Sequence, residues 1–154
     1  MDLGDLIKPE AVVPALPAKS KKQALQELAV RAAAITGIDE RRILDVLVQR
    51  EMLGSTGFGR GVAIPHGRVP DLRRVTTVFA RLESPIDFES ADGEPVDLVF
   101  LLLTPEHAGA DHLKALSRIS RIVRDPLAIE KLRASRDRAA LYAVLTEPMA
   151  SHAA

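Results

Sequence analysis

The segment from Val96 to Leu103 constrains the fold more than any other feature, because it is apolar at every position except Asp97. A run of this length is far too short to cross a bilayer, so it is predicted to be a strand that is buried on both faces. Val75 to Leu82, which is rich in β-branched and apolar residues, is predicted to be a second strand. These two strands place a sheet in the middle of the fold.

Two helices are predicted before the sheet. Ser20 to Gln23 has the composition of a capping box, and apolar residues then recur at helical spacing until Gly37, which is predicted to end the helix in a left-handed conformation. Asp39 can cap a second helix with a single apolar stripe, which leaves Arg50 near its C-terminal end.

Further helices are predicted after the sheet. One begins near Asp111, a second begins at Asp125-Pro126 in the favoured order of cap and proline, and a last one surrounds Leu141. The resulting fold class is α/β (α+β), with a central mixed β-sheet flanked by helices on both faces.

The ends of the chain are predicted to be less regular. Three prolines between Leu6 and Ala18 rule out a helix interior there and indicate an extended lead-in or an edge strand. A single domain is expected over residues 1–154, with a core at about 5–146 and a flexible tail at 147–154.

The composition of the chain excludes several classes of function. Lys and Arg number 21 and so do Asp and Glu, so no broad positive field would attract nucleic acid. The chain has no cysteine, which excludes disulfides and thiolate chemistry and suits a reducing compartment. The N-terminal residues lack the pattern of a signal peptide, so a cytoplasmic protein without membrane insertion is expected.

Five glycines lie between the second helix and the strand predicted at Val75 to Leu82: Gly54, Gly57, Gly59, Gly61 and Gly67. A loop this rich in glycine can direct several backbone N–H groups at one anion, although an ordinary turn is equally compatible with glycine content alone. A nucleotide P-loop needs a Lys and a hydroxyl residue directly after its second glycine, and this loop has Arg60 but neither the Lys nor the hydroxyl that follows it. Val62 stands where a dinucleotide fingerprint needs glycine or alanine.

His66 is the candidate reactive group of this segment. It follows a short apolar strand and Pro65, and Gly67 is expected to leave open space beside its ring. A neutral imidazole is a usable nucleophile when one nitrogen is held as N–H and the other faces the substrate. A purely structural histidine beside a turn is the alternative.

The remaining histidines give weaker signals. His107 and His152 match no functional pattern and are given no role. A metal site is conceivable on ligand type alone, but the spacing of the candidate ligands matches no ordered motif, so no metal is predicted. Those candidates are Glu106, His107, Asp111, His112 and His66.

The run from Arg50 to Gly67, REMLGSTGFGRGVAIPHG, resembles the signature of the IIA domains of the fructose–mannitol class of the bacterial phosphotransferase system. Within that family the free-standing chain and its Gly-Ser-Thr-Gly-Phe-Gly loop are most similar to the nitrogen-regulatory branch. The resemblance covers nearly the whole chain and includes the segment 112–116, HLKAL, where the family has a second histidine.

The resemblance implies a set of site residues. His66 would be phosphorylated on Nε2 by the phosphohistidine of a small HPr-like carrier, with phosphoenolpyruvate as the ultimate source and no cofactor. Arg50 would stand beside the phosphoryl group, and His112 would be the second histidine of the site. The alternatives without a function are that Arg50 only complements the dipole at its helix end and that His112 only faces solvent. The loop expected to bind the phosphoryl group comprises Gly54, Ser55, Thr56, Gly57, Gly59 and Gly61.

The resemblance also implies a function, that of a regulatory phosphocarrier whose two states bind other proteins differently. Kinases, transporters and nucleotide-signalling enzymes are conceivable targets. One alternative is a sugar-specific IIA component that passes phosphate to a IIB domain for fructose or mannitol uptake. A second alternative is an interaction domain whose His66 is never phosphorylated.

Overall fold

The structure is a computed structural model that describes residues 3–147. It contains six strands, five α-helices and two short 3-10 turns, Leu3–Asp5 and Pro9–Ala11. The strands are β1 Val12–Leu16, β2 Gly57–Gly59, β3 Val62–Ala63, β4 His66–Arg68, β5 Thr76–Ile86 and β6 Val96–Thr104. The helices are α1 Lys21–Thr36, α2 Glu40–Met52, α3 Ala110–Arg124, α4 Pro126–Ala134 and α5 Arg138–Thr146. Apart from Glu147, the predicted flexible tail lies outside the described residues.

All six strands form one mixed sheet in the order β1-β5-β6-β3-β2, and β4 also pairs with β6. The long strands β5 and β6 are antiparallel, whereas β1 runs parallel to β5 and both β3 and β4 run parallel to β6. The two predicted central strands are thus confirmed. The proline-containing segment forms β1 at an edge of the sheet, where a missing N–H is tolerated.

Strand β6 is covered on both faces, as its composition predicted. Its residues from Leu98 to Leu103 are fully buried, so side chains that point to opposite faces both lack solvent. Helix α1 packs on α2 and on β5, while α3 packs on β6 and α5 on β1. The predicted mixed sheet flanked by helices is confirmed. Over residues 3–147, no helix is long and apolar enough to span a bilayer.

The first helix begins and ends as predicted. The Ser20 hydroxyl accepts a hydrogen bond from the Gln23 backbone N–H at 3.1 Å, and Gly37 closes α1 with φ of 77°. The return bond of the capping box is displaced by one residue, because Gln23 Oε1 accepts from the Lys19 N–H at 2.8 Å rather than from Ser20.

Of the two other predicted side-chain caps, one is present and one is absent. Asp39 precedes α2, but its side chain makes no capping bond, so the prediction of a side-chain cap there was wrong. Only the Asp39 backbone carbonyl is used, as an acceptor for the next turn. Asp125 caps α4 as predicted, accepting from the Leu127 N–H at 3.1 Å.

Candidate functional site

His66 begins β4, beside Leu102 of β6, at the end of the sheet where β6 approaches the loop before α3. Its half-buried ring is fixed by a contact of 2.9 Å between Nδ1 and the Ile64 carbonyl oxygen. Because a carbonyl can only accept, Nδ1 carries the hydrogen and donates it. The lone pair of the neutral ring is therefore on Nε2.

Arg50 meets that nitrogen from the last turn of α2. Its Nε donates to His66 Nε2 at 3.2 Å, and its Nη1 donates to the Gly54 carbonyl at 2.9 Å. An arginine placed only for the helix dipole would have no reason to contact the imidazole. The structure therefore brings Arg50 and His66 together, and the direction of their bond agrees with a bare Nε2 on His66.

The contact between Arg50 and His66 requires α2 to lie close to β4, and Gly67 permits that approach because it has no side chain. A Cβ built on Gly67 would collide with Cγ1 of Val46 on α2. The expectation that Gly67 leaves open space beside His66 was wrong, because the space is filled by Val46. The glycine instead lets a helix lie directly on a strand.

His112 faces the same site from the first turn of α3. Its ring centroid lies 6.2 Å from that of His66, with 57° between the ring planes. Its Nδ1 is buried without a hydrogen-bond partner among residues 3–147. The alternative in which His112 merely faces solvent is therefore not what the structure shows. Burial lowers the pKa of His112, and the nearby His66 and Arg68 lower it further, which favours a neutral ring.

The loop after α2 is held by its own side chains. Glu51 accepts from the Thr56 backbone N–H at 2.9 and 3.1 Å and also from the Thr56 hydroxyl. The Ser55 hydroxyl donates to the Phe88 carbonyl at 2.7 Å and accepts from the Gly57 N–H at 3.0 Å. Backbone N–H groups of Thr56 and Gly57 are therefore occupied, which argues against their predicted place in a phosphate cradle.

Gly59 and Gly61 belong to the turn between β2 and β3, where φ is 111° and 84°. Gly59 pairs with Val62, which pairs with Leu98 of β6, whereas His66 pairs with Leu102. Four positions along a strand correspond to about 13 Å. The structure does not bring these two glycines to His66; it places them in a turn that needs left-handed backbone.

Charged side chains stabilise the turn between β2 and β3. Arg133 of α4 binds the Asp97 carboxylate with Nε at 3.0 Å and donates to the Arg60 carbonyl at 2.7 Å. The Asp92 carboxylate accepts from the Arg60 N–H at 2.9 Å and from the Glu94 N–H, and these bonds lower the pKa of Asp92.

Two residues near the site were missed from the sequence. Glu51 follows Arg50 directly, and nothing in its spacing distinguished it from a surface glutamate. Arg68 did carry a signal, since it lies two residues after His66 and alternate residues of a strand share a face. Its Nη1 donates to the Glu106 carbonyl at 3.0 Å. Within residues 3–147, no three His, Cys, Asp or Glu side chains are grouped closely enough to hold a metal ion.

Comparison with known proteins identifies the family of this chain. Residues 5–147 match the family described as the phosphoenolpyruvate-dependent sugar phosphotransferase system, EIIA 2. The chain therefore belongs to this family of phosphotransferase components, and the family resemblance of the Arg50 to Gly67 run is confirmed.

Individual relatives indicate which branch of this family the chain is similar to. The chain is 61% identical over 153 residues to a nitrogen regulatory protein of Bradyrhizobium diazoefficiens, covering 99% of this chain and 100% of that one. The crystal structure of nitrogen regulatory protein IIA-Ntr from Neisseria meningitidis is 33% identical and has a TM-score of 0.88, covering 94% and 99% of the two chains. This chain is thus similar to the nitrogen-regulatory members, as predicted.

A more distant structure shares the fold alone. It is the complex of mannitol IIA with phosphorylated mannitol IIB from Escherichia coli, with 18% identity, a TM-score of 0.77 and coverage of 91% and 98%.

Proposed function

We propose that this protein is a regulatory phosphocarrier that accepts a phosphoryl group on Nε2 of His66. The donor is the phosphohistidine of an HPr-like carrier, and phosphoenolpyruvate is the ultimate source. The proposal rests above all on the bond between His66 Nδ1 and the Ile64 carbonyl, at 2.9 Å. That bond fixes the tautomer, so the nucleophilic lone pair points to the side where Arg50 and His112 lie.

The proposed transfer is an in-line displacement. The Nε2 lone pair attacks the donor's phosphorus and forms a new N–P bond while the donor's N–P bond breaks. The electron pair of the broken bond stays on the donor's imidazole, which leaves as a neutral ring because its other nitrogen carries a hydrogen. The His66 ring keeps its Nδ1 hydrogen, and its positive charge is offset by the phosphoryl dianion. Arg50 turns from Nε2 to the phosphoryl oxygens, where one charge-assisted hydrogen bond contributes about 1.5–3 kcal/mol. His112, neutral at rest, offers a ring N–H without adding a charge. On the acceptor side the proposed reaction uses only His66, Arg50 and His112, and it calls for no cofactor or metal.

Apolar side chains border the site and suit protein partners. Met52 and Leu53 follow Arg50 and are 79% and 84% exposed, and Leu113 follows His112 and is 67% exposed. Exposed apolar groups beside a reactive centre are typical of a docking surface. A donor carrier and regulated proteins would both contact this surface. A dianion added at its centre would change their affinities by local charge and hydrogen bonding.

Similarity to nitrogen regulatory proteins favours regulation over sugar transport. The full-length relative at 61% identity carries that description, whereas the likeness to mannitol IIA extends to the fold alone. A role in passing phosphate to a IIB domain therefore remains the second candidate. Regulated targets of the conceivable kinds, kinases, transporters or nucleotide-signalling enzymes, would meet the protein in the bacterial cytoplasm.

Intact-mass spectrometry at neutral to alkaline pH tests the proposal, because phosphohistidine survives under those conditions. The protein is incubated with phosphoenolpyruvate, enzyme I and an HPr-type carrier. One added phosphate is expected in the wild type and in a His107→Ala control, and none in His66→Ala. Label of equal stoichiometry in His66→Ala refutes the site, and no label in any form with competent donors favours the unphosphorylated interaction domain.

A further inference from the structure

Arg68 lies on the same face of the sheet as His66. Both residues belong to β4, and they pair in parallel register with Leu102 and Thr104 of β6. Residues two apart on a strand have side chains on one face and Cα atoms roughly 7 Å apart. A guanidinium on a three-carbon stem spans such a gap. Arg68 is also exposed, so its side chain can rotate without disturbing the core.

The present partner of Arg68 is a neutral one. Its Nη1 donates to the Glu106 carbonyl at 3.0 Å. Glu106 belongs to the segment 105–109, which leads from the end of β6 into α3, the helix that carries His112. Residues 106 and 107 are exposed, whereas Ala108 packs against the core, so the carbonyl that Arg68 binds belongs to the solvent-exposed part of this segment. Arg68 therefore joins the strand of the acceptor histidine to a surface segment.

We propose that Arg68 is a second phosphoryl-binding cation of the site and that, on engaging the phosphoryl group, it releases the Glu106 carbonyl, so that the segment 105–109 reports the state of His66. The inference rests on the proposed phosphorylation of His66. It adds to that function a physical route by which one phosphate changes a surface that partners can contact.

The exchange follows from the relative strength of the two bonds. A bond from guanidinium to a backbone carbonyl has one charged partner, whereas a bond to a phosphoryl oxygen has two and can be bidentate. A dianion on Nε2 of the half-buried His66 also attracts Arg68, because the separation of roughly 7 Å between the two residues is shorter than the Debye length of about 8 Å at physiological salt. The carbonyl is the weaker acceptor, and solvent can replace Arg68 there.

Three variants separate this role from a structural one. Arg68→Ala removes both bonds, and Arg68→Lys keeps the charge but loses the planar fork. Arg73→Ala is the matched control, because Arg73 is an exposed arginine of the same sheet end with no hydrogen bond or ion pair among residues 3–147. Two readouts are compared: the backbone amide resonances of residues 106–108, before and after phosphorylation, and the half-life of the phosphohistidine.

In the wild type and in Arg73→Ala, the amides of residues 106–108 are expected to shift on phosphorylation. In Arg68→Ala, their positions before phosphorylation should already approach those of the phosphorylated wild type and then change little. The phosphohistidine of Arg68→Ala should decay about tenfold faster, and that of Arg68→Lys by less, which corresponds to the loss of one charge-assisted bond.

A normal amide response and an unchanged half-life in Arg68→Ala would overturn the inference while leaving the proposed function intact. A shortened half-life with a normal amide response overturns the coupling to the segment. If the wild type takes no phosphate from competent donors, the proposed function fails, and the inference that rests on it fails too.

Discussion

Replacement of Gly67 by alanine should destabilise the protein by steric overlap rather than by backbone strain. Gly67 is not among the glycines with positive φ, so alanine can adopt its backbone conformation. The added Cβ would, however, collide with Cγ1 of Val46. One extra methyl group in a packed contact costs about 1–3 kcal/mol, because α2 must move away from β4 or Val46 must leave its rotamer. For a chain of this size that lowers Tm by roughly 2–10 °C.

A double-mutant cycle identifies the cause. Val46→Ala removes the colliding methyl group. The double variant should therefore lose about 1–2 kcal/mol less unfolding free energy than the sum of the losses in Gly67→Ala and Val46→Ala. Urea unfolding of the four proteins measures these free energies. The reasoning is refuted if Gly67→Ala is as stable as the wild type, or if the two changes are simply additive.

Two further predictions concern the polar groups of the site. Arg50→Ala should slow phosphoryl acceptance by His66, or shorten the phosphohistidine lifetime, by roughly tenfold or more, since one charge-assisted bond is lost. Rapid-quench transfer from the donor measures this, and unchanged kinetics would return Arg50 to a helix-end role. His112 should make folding pH-dependent, because its pKa is lowered first by burial and then by the neighbouring His66 and Arg68. The unfolded chain then takes up the proton first, so stability is complete above about pH 6.5 and declines as the pH falls below it. Urea titrations at several pH values should show this decline in the wild type and a smaller one in His112→Gln; equal slopes would contradict it.

The elements with a strong internal pattern could be predicted from the sequence. Strand β6 could be predicted because nearly every residue from Val96 to Leu103 is apolar, and a short apolar run is typical of a strand that is covered on both faces. Helix α1 likewise carries its own cap in Ser20 and its own stop in Gly37. Those features depend on neighbours within a few residues, so sequence alone contains them.

The details of the site depend on contacts between distant segments, and there sequence reasoning was less successful. The glycines of the 54–61 loop suggested an anion cradle, but the partners that determine their geometry, Ser90, Asp92 and Asp97, lie far along the chain. Gly67 was misread for the same reason, because Val46 becomes its neighbour only once α2 packs on β4. Pairing of His66 with Arg50 and His112 was expected from family resemblance; periodicity could not have supplied it.

Nitrogen NMR of the histidine side chains, recorded before and after phosphorylation, tests the central claim most directly. In the resting protein His66 should be the tautomer with hydrogen on Nδ1 and a bare Nε2. After incubation with a competent donor, phosphorus should be bonded to Nε2 while Nδ1 keeps its hydrogen bond to the Ile64 carbonyl. Phosphorus on Nδ1 of His66, or on His112, would contradict the account.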